Sequence, residues 1–203
     1  MLFRSPAANW NGSAPTLTVA LIDSSTTVTT NATVDVSTRG GTTAYSSSTV
    51  TLSNTVNAVN DAPTIISSTA TLDAVNEDST PSGATVSSLF SSNFSDSTDT
   101  VSGGSSANTL AGIAITSYTR DATKGEWQYS TNGSSWTTIS SSISAASSSL
   151  TFKSTDYLRF LPAANWNGSA PTLTVALIDS STTVTTNATV DVSTRGEIGR
   201  AHV

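Results

Sequence analysis

Pro6 to Gly40 reads PAANWNGSAPTLTVALIDSSTTVTTNATVDVSTRG, and Pro162 to Gly196 repeats it letter for letter. Within this stretch Thr16 to Asp23 alternates, with Leu17, Val19 and Leu21 on one side. Thr27 to Val36 alternates again through Val28, Ala32, Val34 and Val36. Period two over such lengths marks a half-buried strand. The second copy offers the same two strands at Thr172 to Asp179 and Thr183 to Val192. A duplicated unit of this size is longer than a solenoid turn, so the repetition predicts an array of whole all-β domains.

Outward from the repeat, Ser48 to Val56 sets Val50, Leu52 and Val56 on one face. Thr64 to Leu72, Ala111 to Tyr118, Leu150 to Lys153 and Tyr157 to Leu161 are further strand candidates. GEWQYSTNGSSWTTI reads as a hairpin, with Asn132-Gly133 as a type I′ turn. That register predicts Tyr129 opposite Trp136 and Trp127 opposite Thr138, an aromatic patch closing a core. No window carries helical apolar spacing over three turns, so almost no helix is expected. Short strands and turn signals without helices predict an antiparallel β-sandwich of immunoglobulin-like or cadherin-like type.

The domain boundary falls near Asn60 to Pro63, where Pro63 stiffens the joint. Residues 1–59 then read as the last strands of one repeat, and 60–196 as the next repeat lacking its final strand. An open sheet edge follows, and Ser48 to Val56 or a neighbouring strand is expected to pack on or near it. Residues 197–203, EIGRAHV, match the translation of a sequencing adapter and are expected to be non-native, including the only histidine, His202.

The chain has 203 residues, a formal net charge of −6 and 11% charged residues. Ser and Thr abound, while lysine occurs only at Lys124 and Lys153. Such a balance argues against nucleic acid as a partner, because phosphate binding needs clustered basic side chains. No apolar run is long enough to span a bilayer, so no membrane insertion is expected of this segment. Without cysteine there is no disulfide framework, thiolate zinc site or cysteine nucleophile. Serine catalysis needs a neighbouring base, and the sole histidine is in the tail. The only glutamates are Glu77, Glu126 and Glu197, and nothing marks a cleft between paired carboxylates. The chain is therefore not expected to be an enzyme.

VNAVNDAPT, VNEDS, GEWQYSTNGSSW, DYLRFLPAANWNG and LTVALIDSS, in that order, resemble the tandem bacterial cadherin-like or VCBS-type repeats of large surface adhesins of the repeats-in-toxin group. The resemblance covers nearly the whole chain before the tail. It implies an extracellular array at the bacterial cell surface that serves adhesion or biofilm cohesion. The implied partners are neighbouring repeats and cell-surface or matrix glycans.

Calcium takes six to eight oxygen ligands, and this chain offers oxygen chemistry and little else. Asn60 and Asp61 lie in the linker, and Glu77 and Asp78 follow where the resemblance implies calcium ligands. Asp23 is a weaker addition, and Asp179 is its counterpart in the second copy. The ordinary reading of Asn-Asp-Ala-Pro is a metal-free turn, and that of Glu77-Asp78 is a solvated loop. Trp10 and Trp166, in NWNG, could stack on sugars, which keeps a carbohydrate-binding module open as the alternative function. The ordinary reading of these and of Trp127 and Trp136 is core packing.

Overall fold

A computed structural model describes residues 7–194. The fold is all-β, with one short α-helix, α1 (Val86–Phe90). Two compact units form, one of residues 7–58 with Val101–Ser105, the other of Val59–Thr100 with residues 106–194. The tail Glu197 to Val203 lies outside the described residues.

The first unit holds β1 (Gly12–Ser13), β2 (Leu17–Ile22), β3 (Tyr45–Leu52) and β4 (Thr55–Val56). β1 pairs with β4, and β2 pairs with β3, all antiparallel. In the β2–β3 ladder Leu17 faces Leu52 and Val19 faces Val50. All four of these side chains are exposed. Within this unit β3 is engaged by β2, and β4 by β1.

The second unit contains β5 (Thr64–Ile65), β6 (Ala84–Thr85), β7 (Phe94–Ser95), β8 (Leu110–Tyr118), β9 (Gly125–Ser130), β10 (Thr137–Thr138), β11 (Ser149–Lys153), β12 (Tyr157–Pro162), β13 (Leu173–Asp179) and β14 (Ala188–Val190). Two four-stranded antiparallel sheets have the orders β10-β9-β12-β6 and β13-β8-β11-β14, and β5 pairs with β7. Val86 of α1, Leu158 of the first sheet, and Ile113, Ile115, Phe152 and Leu177 of the second meet in one buried cluster. Burying each such side chain contributes about 1.5–3 kcal/mol against leaving it in water. A second cluster joins Ala114, Ala176 and Ile178 to Val184 and Val192. β8 is thus buried on both faces, which is why GIAI reads as a continuous apolar run there. Gly112 keeps that strand close to β11, since a Cβ at this position would lie 2.2 Å from the Phe152 carbonyl oxygen.

Three expectations fail for local reasons. Thr27 to Val36 forms no strand, because Asn31 turns into the left-handed region at φ 60° and breaks the alternation midway. Its copy Asn187 does the same at φ 58°, and only Ala188–Val190 pairs beyond it. Of Thr64 to Leu72, only Thr64–Ile65 is strand, and the Asn93 side-chain amide donates to the Ser67 and Thr69 carbonyls where a ladder would otherwise run. The hairpin slips by one residue: Thr137 faces Tyr129, and Thr138 faces Gln128. Gly133 alone has positive φ, while Asn132 Oδ1 accepts from the Ser134 and Ser135 N–H groups. Side chains thus satisfy the loop that a two-residue turn would have closed. Trp136 consequently leaves the predicted patch and sits 4.1 Å from the Arg159 guanidinium carbon. Trp127 and Tyr129 remain against the core, tilted on Phe160 and Phe152.

Candidate metal centre

A group of polar side chains in the second unit gathers at one end of β13. β7 runs into Asp96, and a single 3₁₀ turn, Ser97–Asp99, follows. In a 3₁₀ turn residues three apart eclipse, so Asp96 and Asp99 project from one side of the backbone. Asp179 ends β13, where the ladder to β8 shifts register beside Leu110. Asn108 leads into β8, and Asn60 and Asp61 arrive from the linker segment.

Hydrogen bonds tie these residues together. Asn108 donates its backbone N–H to Asp96 Oδ2 at 2.6 Å and its side-chain amide to Asn60 Oδ1 at 2.5 Å and Asp99 Oδ2 at 3.2 Å. The Asn60 side-chain amide donates to Asp179 Oδ2 at 3.2 Å and to the Asp61 carbonyl at 2.9 Å. The Asp61 N–H donates to Asp99 Oδ1 at 2.9 Å. Asp179 Oδ1 accepts from the Ser181 N–H and hydroxyl. The donors in these bonds to Asp96 and Asp179 are neutral amide, N–H or hydroxyl groups.

Asp96 is only 4% exposed, and its Oδ1 is buried without a hydrogen-bond partner. Burial pushes its carboxyl above the ordinary aspartate range; the Asn108 N–H opposes this, and the charges of Asp99 and Asp179 raise it further. An acceptor atom left bare beside two like charges costs free energy that a cation would recover. Asp96, Asp99 and Asp179 do not by themselves make a three-carboxylate metal centre, and no such group of His, Cys, Asp or Glu occurs among the described residues. The donor set is mixed, carboxylate and amide oxygens together, which suits a hard cation with flexible coordination.

Of the residues singled out from sequence, Asn60 and Asp61 join this group, Asp61 through its backbone. Glu77 and Asp78 do not. Asp78 Oδ1 accepts from the Asn165 N–H at 2.9 Å, and Glu77 Oε2 from the Asn167 side-chain amide at 3.3 Å. Both contacts are to the connection between β12 and β13, which enters β13 at Leu173, the end opposite Asp179. Asp23 belongs to the first unit and closes a local turn with the Ser25 N–H; the Ser25 hydroxyl and then its N–H hold the carboxyl below the usual range. Asp96, Asp99 and Asn108 carried no sequence expectation. The legible trace was an Asp-x-x-Asp beginning two residues after the apolar Phe94, meaningful once the turn is known.

Among the described residues, Trp127, Trp136 and Trp166 pack against protein groups. Trp166 stacks edge-on against Phe160 at 5.9 Å, and the Trp127 indole N–H donates to the Pro171 carbonyl at 2.7 Å. The larger depression, beside Tyr129, Ile139 and Leu150, is lined by no carboxylate, imidazole or amine. No helix among the described residues is long and apolar enough to cross a membrane. No protein-family model, curated protein or solved structure matches this chain.

Proposed function

We propose that the chain is a structural and adhesive repeat module of a large extracellular bacterial surface protein, a non-catalytic scaffold whose inter-repeat linkers are stiffened by calcium. In this reading the second unit is an immunoglobulin- or cadherin-like β-sandwich. Its neighbours in the array are its main partners, with surface or matrix glycans as the material that the array meets. The internal duplication supports a repetitive, load-bearing role, since identical copies extend a structure without adding new chemistry.

The observation that carries the calcium reading is the bare Oδ1 of Asp96 beside Asp99 and Asp179. Asp96, Asp99 and Asp179 would supply carboxylate oxygens, and Asn60 and Asn108 would supply amide oxygens. Bound calcium would neutralise three buried negative charges and fasten the linker residues Asn60 and Asp61 to the strand ends. Its role is therefore mechanical.

Thermal melting of the chain in calcium and in chelator tests this. With calcium at about 100 times its dissociation constant, binding adds ~2.7 kcal/mol to the folded state. For a domain of this size that is a rise of about 5–10 °C in the melting temperature. Identical melting curves in calcium and in chelator contradict the proposal.

A further inference from the structure

We propose that the guanidinium of Arg159 and the indole N–H of Trp136 form a binding site for a single carboxylate. Arg159 stands on β12, opposite Gln128 of β9. Gln128 alternates with Trp127 and Tyr129, which pack on the core, so the site lies on the outward face of the sheet. Arg159 is 8% exposed, yet no carboxylate pairs with it among the described residues. Its Nε–H donates to Gln128 Oε1 at 2.8 Å, and its Nη1–H to the Pro81 carbonyl at 2.9 Å. Both acceptors are neutral. Glu126, two residues along β9, is taken by Arg120, whose Nε–H donates to Glu126 Oε2 at 2.9 Å. A buried charge without a counter-charge costs free energy that an anion would recover.

Two donors of this pair are left over. Arg159 Nη2 and Trp136 Nε1 make no hydrogen bond to the described residues. The buried side-chain atoms without a partner are Asn93 Oδ1, Asp96 Oδ1 and the Tyr118 hydroxyl, so these two nitrogens open to solvent. The guanidinium carbon lies 4.1 Å from the centre of the Trp136 ring, which brings both donors to one spot. Gly83, at φ 75°, makes room for the indole. A Cβ there would lie 2.6 Å from Trp136 Cη2 and 3.1 Å from Arg159 Cβ.

Charge selects the ligand. Burial alone lowers the pKa of Arg159, and neither a carboxylate nor a second cation acts on it. The site therefore carries one positive charge, which a monoanion balances. A phosphate dianion would bring surplus negative charge to a chain whose net charge is already −6. A carboxylate presents two acceptor oxygens in one plane, which suits a guanidinium N–H beside an indole N–H. Every residue that builds the site belongs to the second unit, and the inference stands independently of calcium and of the adhesive reading.

NMR of the unmodified chain reads the Arg159 Nε–H and the Trp136 indole N–H directly. Sodium acetate, sodium galacturonate, galactose, sodium phosphate and sodium chloride are titrated at matched ionic strength. Saturable shifts of both signals are expected with the two carboxylates, and none with galactose or chloride. Tighter binding of galacturonate than of acetate makes a sugar acid the source of the carboxylate, and equal binding makes it a free carboxylate. Arg159→Lys keeps the charge and loses the planar fork, so acetate should bind at least about tenfold more weakly, read at the indole. Trp136→Phe keeps a ring over the guanidinium and removes the N–H, so acetate should again bind more weakly, read at Arg159. No saturable shift with either carboxylate, phosphate binding more tightly than acetate, or unchanged affinity in either folded variant would overturn the proposal.

Discussion

Asp96 concentrates the physical tension of the molecule. Its side chain is buried, one oxygen has no partner, and two further carboxylates repel it. Because its folded carboxyl titrates above the unfolded value, the folded state binds a proton more tightly than the unfolded chain does. Stability without calcium should therefore fall as pH rises from the ordinary aspartate value through the raised one, and stay low above it. Replacing Asp96 by Asn keeps an acceptor for the Asn108 N–H and removes the charge. Denaturant unfolding of Asp96→Asn in chelator should show no such fall across pH 4 to 7. At neutral pH the variant should be about 1–3 kcal/mol more stable than the parent, the scale of an uncompensated buried polar group. Loss of stability in the variant would mean that the carboxylate is well solvated. Asn60 and Asp61 were legible from sequence because a linker Asn-Asp announces itself before proline. Asp96 and Asp99 were not, because only the 3₁₀ turn and the distant partners Asn108 and Asp179 give them meaning. Glu77 and Asp78 looked equally suitable as ligands, yet they serve the connection before β13.

At the scale of elements, one strand sequence meets two environments. Leu177 on β13 is 7% exposed within the core cluster, and Leu21 on β2 is 57% exposed. Leu177→Ala should cost about 2–5 kcal/mol, as buried leucine truncations do. Leu21→Ala should stay within about 0.5 kcal/mol, as at ordinary surface positions. Chemical denaturation of both variants checks the pair, and equal costs would mean that β2 is buried after all. This contrast explains what alternation can and cannot reveal. Period two located β2 and its copy β13, and the further candidates at β8, β11 and β12 also form strands, because those runs contain no residue that prefers another backbone conformation. It failed at Thr27 to Val36, where Asn31 accepts the left-handed conformation, and it misplaced Trp136, where Ser130 and Asn132 side chains enlarge the hairpin loop. Local side-chain hydrogen bonds outweigh a pattern that only tertiary packing would reward.

Across the whole molecule, the proposed reading rests on the duplication and on the buried polar cluster at the end of β13. The all-β fold follows from abundant β-branched residues and from alternation that most strands obey. What the duplication could not convey is that copies of one sequence differ in burial, because burial depends on which strands lie alongside. The central claim is that a cation joins the linker to the strand ends at Asp96, Asp99, Asp179, Asn60 and Asn108. Calcium titration followed by amide NMR shifts tests it most directly. The account predicts saturable shifts at Asn60, Asp61, Asp96, Asp99, Asn108 and Asp179, with Glu77 and Asp78 unmoved. Shifts confined to Glu77 and Asp78, or no saturable shift at all, would contradict it.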